Sequence, residues 1–337
     1  MKIMKLFGMG IVSLMLCAGF VSCGDDEPKG GNNDSGTEVP ALEKHLVKYK
    51  EHGEGMRSYS VTDYLYDDKD NLDKWKKYDT DKQDVISGNI DEYSVYWTGN
   101  TCYLEDNGVK YQEFVYDASG KAVSMTNKTS VKSASEKYEY DDQGRLLRES
   151  YAGSYSSGDT FSTVSTYTWK GNQLVSVIHK SETMGKFEET ITNTLEFSYT
   201  GRKVKGALIP VKKHLHLFVS SELVNIHPER FGALTDELPS KVTITEISTK
   251  SLTYKVDNKI TSMNSKSNGI FLLEDVKVDQ DGYLVGVNTK WTTDTYFTNY
   301  NYDTNGDGKI SKDEEVVKKE LLDRKISWEE EYVWANK

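Results

Sequence analysis

A short unit made of an aromatic residue, an aspartate, a turn and a glycine recurs along most of this 337-residue chain. It is clearest at 114–123 (FVYDASGKAV) and at 138–146 (YEYDDQGRL). Each unit predicts a strand, a tight turn with glycine where φ is positive, and a returning strand. Looser copies occur at 64–72, 167–174, 197–204, 254–260 and 276–284. The repeat therefore predicts consecutive antiparallel hairpins.

Residues within the predicted strands alternate in polarity. Tyr138 and Tyr140, like Val276 and Val278, are separated by single polar residues. This period of two is typical of an antiparallel sheet with one face on a core and the other in water. The pattern fails at 207–240, which contains three of the five prolines of the chain, and we expect an irregular excursion there.

A short helix is predicted just before the first hairpin. Leu42, Leu46 and Tyr49 have helical spacing, and Gly53 and Gly55 would end the helix. We place the β-repeat domain at 41–300, with this helix at its start.

The first residues have the pattern of an export signal. Lys2 and Lys5 precede an apolar run at 6–21 that is too short for a membrane-spanning helix. We therefore predict a signal peptide at 1–22. Residues 23–40 are rich in Gly, Asp and Asn without an apolar face, which predicts a flexible tether.

The end of this signal resembles the lipobox of bacterial lipoproteins. The sequence Phe20-Val21-Ser22-Cys23 places a cysteine at the cleavage point, although Phe20 replaces the usual leucine. The resemblance implies a lipid on Cys23, and the acidic residues at 24–27 resemble a surface-export signal. We expect a protein anchored to the outer membrane and facing the cell exterior. The alternative is an ordinary secretory signal with a chance cysteine.

The charges and cysteines restrict the remaining choices. The chain has 42 Lys+Arg against 53 Asp+Glu, a net charge of −11, which argues against nucleic acid as a partner. Cys17 is removed with the signal and Cys23 takes the lipid, so Cys102 cannot form a disulfide within the mature chain. We expect Cys102 to be a small buried residue and not a nucleophile.

The repeated hairpins, the lipobox and the segment 238–241 (LPSK) together resemble an uncharacterised family of Bacteroidetes surface lipoproteins. That family has a porin-like, curled antiparallel sheet. The resemblance implies a mainly β fold in which the meander of hairpins forms a curled sheet or half-barrel. It supplies no catalytic residues.

The segment 303–314 (DTNGDGKISKDE) matches the twelve-residue EF-hand calcium loop. Gly308 stands where that loop turns sharply, and three carboxylates would converge on one point unless a dication separated them. We expect calcium of micromolar to millimolar affinity, with a structural role. The predicted ligands are Asp303, Asn305, Asp307, Lys309, Ser311 and Glu314.

The residues around this loop predict a strand-loop-helix site in the C-terminal unit 301–337. Val317 and Leu321 lie on a helical stripe with Ile310, so we expect a helix to about Lys325, followed by a final strand. The preceding residues 296–302 alternate as a strand. A metal-free alternative is an enlarged hairpin turn of the repeat, which would need Asn and Gly but not Glu314.

A second metal site is a weaker hypothesis. His214 and His216 would share a strand face and could bind a metal with His227, but no further ligand has a characteristic spacing. The simpler interpretation is three structural histidines.

We expect a non-catalytic binding or interaction module, with a glycan or a protein as ligand. Trp97, Trp169 or Trp291 could provide aromatic platforms on the concave side of the sheet. A binding lipoprotein without metal is the alternative. A hydrolase with paired carboxylates is a lesser one, because the chain contains no nucleophile elbow, phosphate loop or zinc-protease helix. An enzyme is therefore not expected.

Overall fold

The fold is taken from a computed structural model of the chain. It describes residues 43–129, 132–185, 187–215, 223, 227–232, 235, 237–252, 261–302, 315–320 and 324–336. The predicted signal peptide, Cys23 and the tether lie outside the described residues, as do the repeat copy at 254–260 and the predicted calcium loop at 303–314.

Almost all of the described chain is β-strand, and the strands follow one another as hairpins. The helical elements are α1 (Ile209–Leu215) and a 3₁₀ helix (Pro228–Phe231), both between β12 and β13. The strands are β1 (Lys44–Gly53), β2 (Tyr59–Tyr66), β3 (Leu72–Thr80), β4 (Ile86–Thr98), β5 (Thr101–Asp106), β6 (Val109–Tyr116), β7 (Ala122–Lys128), β8 (Lys132–Tyr140), β9 (Leu146–Tyr155), β10 (Thr160–Lys170), β11 (Gln173–Met184), β12 (Phe187–Lys203), β13 (Glu237–Leu252), β14 (Thr261–Val278), β15 (Leu284–Tyr302), β16 (Glu315–Glu320) and β17 (Arg324–Asn336).

The sheet closes into a barrel, so the predicted curled sheet or half-barrel is wrong. Strand β1 pairs with β2 on one side and with β17 on the other, in antiparallel register. Strands β16 and β17 pair with the two halves of β15 and share one place, so the described strands form a ring of sixteen. Closure removes the two exposed sheet edges. The hairpin repeat predicts that consecutive strands pair, but it contains no information on the pairing of β1 with β17.

The predicted N-terminal helix is also wrong, because its residues form β1. Leu46 and Tyr49 are three residues apart, which suits a helix, yet both are buried. The register of β1 against β17 shifts between Leu46 and Lys48. A β-bulge inserts an extra residue into a strand, so two inward side chains can lie three residues apart. The bulge therefore gives the two buried residues a three-residue spacing that is also typical of a helix.

The predicted helix after the calcium loop is a strand as well. Residues of β16 pair with the distal half of β15, from Asn301 opposite Glu315 to Tyr296 opposite Glu320. Pairs of Glu and Lys at i,i+4 stabilise a helix by only about 0.2–0.5 kcal/mol each. A place in the ring satisfies the backbone groups of β15, and this outweighs the helical preference.

Four turns of the repeat lie at the same end of the barrel, which we call the turn end: 67–71, 117–121, 141–145 and 279–283. In each, the aspartate carboxylate accepts hydrogen bonds from the backbone N–H groups two and four residues later, as Asp141 does from Gln143 and Arg145. The residue before the last has positive φ, for example Gly144 at 72°. The aspartate and glycine of the repeat are therefore explained by the turn itself.

In four copies of the repeat the aromatic residue closes a hydrogen bond between neighbouring strands, and Trp97 and Trp334 do the same outside the repeat. In each, the hydroxyl or indole N–H points inward and donates to a backbone carbonyl near the start of an adjacent strand. The donor and acceptor pairs are Tyr66–Leu46 at 2.8 Å, Trp97–Leu72 at 2.9 Å, Tyr140–Ala122 at 2.6 Å, Trp169–Leu146 at 2.8 Å, Tyr199–Leu174 at 2.8 Å and Trp334–Leu284 at 2.6 Å.

Within the described part of the chain, no helix has the length and hydrophobicity needed to cross a membrane.

The carbonyl hydrogen bond of the repeat can be tested at Tyr199. We expect Tyr199→Phe to lower the free energy of unfolding by about 1 kcal/mol, because the carbonyl of buried Leu174 loses a donor. Tyr96→Phe is the matched control, since that ring lies on the outer face and is 43% exposed. Urea unfolding of the two variants measures the difference, and equal effects would contradict the role of the hydrogen bond.

Candidate functional site

The excursion between β12 and β13 enters the barrel and closes it at the turn end. A ring of sixteen strands leaves a lumen that wall side chains alone do not fill. Phe231 of the 3₁₀ helix packs edge-on against Phe114 of β6 at 5.9 Å and Tyr138 of β8 at 5.8 Å between ring centroids. His214 of α1 packs against Phe271 of β14 and Trp328 of β17. The excursion thus contacts well-separated parts of the wall.

Gly232 joins the excursion to the turn between β8 and β9. Its carbonyl accepts a hydrogen bond of 3.1 Å from the N–H of Leu146. Its φ is 58°, and a Cβ atom would come within 2.6 Å of the carbonyl oxygen of Gly144. Both the conformation and the close approach require glycine here.

Helix α1 carries two basic side chains to two buried acidic groups. Lys212 and His214 are two residues apart, which places them on nearly opposite sides of a helix. The positive charge of Lys212 lowers the pKa of Glu149 of β9, against the larger effect of burial. His214 Nε2 lies 2.9 Å from Glu330 Oε1 of β17. Strands β9 and β17 lie nearly opposite each other in the ring. Helix α1 is therefore a cross-bar inside the barrel, by which we mean that its two basic side chains interact with acidic groups of two nearly opposite strands.

The Glu330 carboxylate is buried and surrounded by donors. It is 1% exposed and accepts hydrogen bonds from Thr289, Tyr332 and Tyr49 at 3.0, 2.5 and 3.2 Å. Burial by itself would raise the pKa of Glu330, but the contact with His214 and these hydroxyl donors lower it. Glu330 thus remains a carboxylate that holds α1.

Glu136 of β8 and Glu149 of β9 form a second acidic group with the opposite behaviour. The two residues are diagonal neighbours across the β8–β9 pair, in which Glu149 lies opposite Tyr138, and the hydroxyls of Tyr138 and Tyr167 donate to Glu136 and Glu149 at 3.0 and 2.8 Å. Burial and the neighbouring Glu149 charge raise the pKa of Glu136. Burial likewise raises the pKa of Glu149, against the opposing effect of Lys212. Two close carboxyl groups in a buried place retain a proton between them.

The predicted site residues have different outcomes. The calcium ligands and Cys23 lie outside the described residues, as does His216. His227 packs near Trp97, away from His214, and the described residues contain no group of three or more His, Cys, Asp or Glu that could hold a metal. The chain's remaining cysteine, Cys102, is buried as predicted, which raises its thiol pKa to about 12.

The tryptophans considered as platforms are structural or partly covered. The indole N–H groups of Trp97 and Trp169 donate to wall carbonyls, and Trp291 donates to Thr293 Oγ1 at 2.9 Å. Sequence reasoning missed the buried glutamates instead. Glu136 is in phase with Ala134 and Tyr138, so the alternation of β8 already placed it inside. The signal was an acidic residue at an inward position of a strand.

Charged and hydroxyl side chains are frequent on the outer face of the barrel, and exposed large apolar side chains such as Leu65, Leu147 and Ile178 lie among them. The exposed residues of β8 are Ser133, Ser135, Lys137 and Glu139, which alternate with buried ones. On β17 the outward side chains include Glu329 and Glu331. Outer-membrane barrels instead have an outward apolar band about 25 Å tall, where a lysine at mid-height costs about 2–4 kcal/mol.

Comparisons with known proteins support the fold. No family model matches the sequence, and no curated protein matches it either. A solved porin-like protein from Bacteroides uniformis matches with a TM-score of 0.50 and 11% identity, over 88% of this chain and 99% of that one. A porin-like protein from Bacteroides vulgatus matches with a TM-score of 0.48 and 9% identity, over 87% and 99%. The match to the Bacteroides uniformis protein confirms the predicted porin-like β domain at the level of the fold.

The buried carboxyl pair predicts a pH dependence of stability. A carboxyl group whose pKa is higher in the folded state holds a proton that the unfolded chain has lost. Stability therefore falls as the pH rises from the ordinary glutamate pKa towards the folded value. Glu136→Gln keeps an acceptor for the Tyr138 hydroxyl but has no titrating proton. We therefore expect the free energy of unfolding to vary less between about pH 5 and 9, and to be roughly 1–3 kcal/mol higher than in the parent at the alkaline end.

Urea unfolding at several pH values measures this profile. The control is Glu139→Gln, which removes an exposed carboxylate from the same strand. An unchanged slope in the Glu136 variant would show that the pair holds no extra proton.

Proposed function

We propose that the chain is a surface lipoprotein whose barrel stands in water outside the bilayer and serves as a non-catalytic binding module. The observation that carries this proposal is the distribution of polarity in the barrel: charged and hydroxyl side chains are frequent on the outer face, as on β8, while the apolar core is inside. Such an outer face would not hold the barrel in lipid, so a lipid on Cys23 would anchor the protein to the membrane.

The direction of β1 fixes how a tethered barrel would stand. The chain enters β1 at Lys44, beside the turn 279–283, where Lys44 Nζ contacts Asp279 at 3.0 Å. The tether would therefore attach at the turn end, which the excursion closes. The opposite end, which we call the loop end, would face away from the membrane.

A calcium ion bound by Asp303, Asn305, Asp307, Lys309, Ser311 and Glu314 is part of this proposal. Strand β15 ends and β16 begins at the loop end, opposite the turn end. Calcium there would join two strands of the ring where the barrel faces the exterior. A binding lipoprotein without metal is the alternative.

A carboxylate hydrolase is disfavoured by the geometry of the buried pair. Glycosidases place two carboxyl groups about 5–10 Å apart across a cleft, with room for substrate between them. Glu136 and Glu149 are instead buried diagonal neighbours on adjacent strands, at 3% and 8% exposure. No substrate bond fits between them.

The lipid anchor is tested with Cys23→Ser in a strain that processes lipoproteins. We expect the parent to incorporate radiolabelled palmitate, to sediment with the outer membrane and to be cleaved by protease added to intact cells. The variant should take no label and leave the membrane fraction. Cys102→Ser is the matched control, since that thiol is buried inside the barrel. If the Cys23→Ser variant stays in the membrane fraction until detergent is added, the barrel itself is held by the bilayer, and the proposal is contradicted.

The calcium site is tested by thermal unfolding with chelator, calcium or magnesium. A ligand bound only by the folded state at 100 times its dissociation constant adds about 2.7 kcal/mol. We expect calcium to raise the melting temperature of the parent and not that of Asp303→Ala or Glu314→Ala. Asp281→Ala, in a turn at the other end, should keep the calcium response. A parent that does not respond would identify 303–314 as a metal-free turn.

A further inference from the structure

An inward row of polar residues crosses the wall from β9 to β13. The strand registers place Glu149 opposite Ser165, Ser165 opposite His179, His179 opposite Asn193, and Asn193 opposite Glu246. Directly opposed side chains on one face are near neighbours. We call these five residues the polar row.

The polar row lies between two layers of different character. On its turn-end side are the buried residues Tyr167, Val177, Leu195 and Ile244. On its loop-end side, Thr163 donates to Ser181 at 3.3 Å. On the loop-end side of the row the inward face is therefore mixed, with hydroxyl groups beside aromatic rings.

Water reaches the row from inside the barrel. Glu149, Ser165 and Glu246 are buried, at 8%, 3% and 5% exposure, whereas His179 and Asn193 are half-buried. Their side chains share the inward face, so their exposure comes from the lumen. A ligand that enters at the loop end can reach these two residues.

The row offers both donors and acceptors without excess charge. The Ser165 hydroxyl lies 3.0 Å from His179 Nδ1, and the Asn193 amide can donate and accept. Nearby carboxyl groups are those of Glu136, Glu149 and Glu246. The ammonium groups of Lys132 and Lys212 lie near Glu136 and Glu149, so charges of both signs surround the row. Such a wall suits a neutral polar molecule better than an ion.

An aromatic surface adjoins the row on its loop-end side. The rings of Tyr151 and Phe161 are 5.3 Å apart, and Lys132 Nζ lies 4.7 Å from each centroid. Aromatic rings pack against apolar C–H faces, while the polar row supplies hydrogen bonds. Phe161 is 9% exposed and packs behind Tyr151, which is half-buried, so Tyr151 is the ring that a ligand can reach. A molecule with hydroxyl edges and a C–H face matches this ring and the polar row.

We propose that the lumen wall formed by the polar row and by Tyr151 and Phe161 binds a neutral sugar unit that enters from the loop end. This inference rests on the proposed binding function and names its ligand class. It makes the interior of the barrel, and not its outer face, the recognition surface.

Saturation-transfer NMR on the mature protein tests the proposal. The probes are glucose, galactose, mannose and N-acetylglucosamine, with glucuronate and glucosamine as charged comparators. We expect transfer to at least one neutral sugar and at least tenfold weaker binding of its charged comparator. Asn193→Leu should weaken sugar binding at least tenfold, whereas Thr194→Leu, on the outer face of the same strand, should not change it.

Thermal unfolding verifies that the variants are folded, and Ser165→Ala is a smaller second change that should also weaken binding if Asn193→Leu does not fold. Three results would overturn the proposal: no transfer to any neutral sugar, preference for a charged comparator, or unchanged binding in the folded row variants. Palmitate labelling and the calcium response are separate measurements, so a negative sugar result leaves the anchor and the metal loop standing.

Discussion

The structure depends on filling the lumen of a ring of sixteen strands. A ring of this size leaves a lumen wider than its own side chains can fill. The excursion between β12 and β13 solves this at one end by crossing the lumen. Its 3₁₀ helix places Phe231 among wall aromatics, while α1 directs Lys212 and His214 to acidic groups on nearly opposite walls. Without this cross-bar, the apolar half of every strand would face an open channel.

The two acidic groups that α1 contacts hold it in different ways. The lowered pKa of Glu330 keeps a full charge opposite His214, and buried charges are stable only with such partners. Burial and the neighbouring Glu149 charge raise the pKa of Glu136, which favours its neutral form.

The sequence predicted the local structure well and the global closure poorly, for physical reasons. Asp141 and Gly144 report a turn because their roles are local: a carboxylate that accepts nearby N–H groups and a residue with positive φ. The pairing of β1 with β17 joins residues almost a whole chain apart, and no local pattern encodes it. The spacing of Leu46 and Tyr49 predicted a helix wrongly, because a bulge changes the period of the inward residues in a strand.

The candidate site was accessible from the sequence only once the inside of the sheet was known. Ser165, His179 and Asn193 are ordinary polar residues in their own strands, and only the registers align them as neighbours.

The polarity of the barrel decides which surface is available for binding. Porin-type barrels meet lipid with an apolar outer face and water with a polar interior. Here charged and hydroxyl side chains are frequent on the outer face, so the chain must bury its apolar residues inside, and it does so towards the turn end, where Leu72, Leu146, Leu174 and Leu284 are fully buried. Towards the loop end, inward Ser and Thr residues appear beside aromatic residues such as Tyr151 and Phe161. The excursion has already occupied the other half, so the loop-end half is the part of the interior that a ligand can enter.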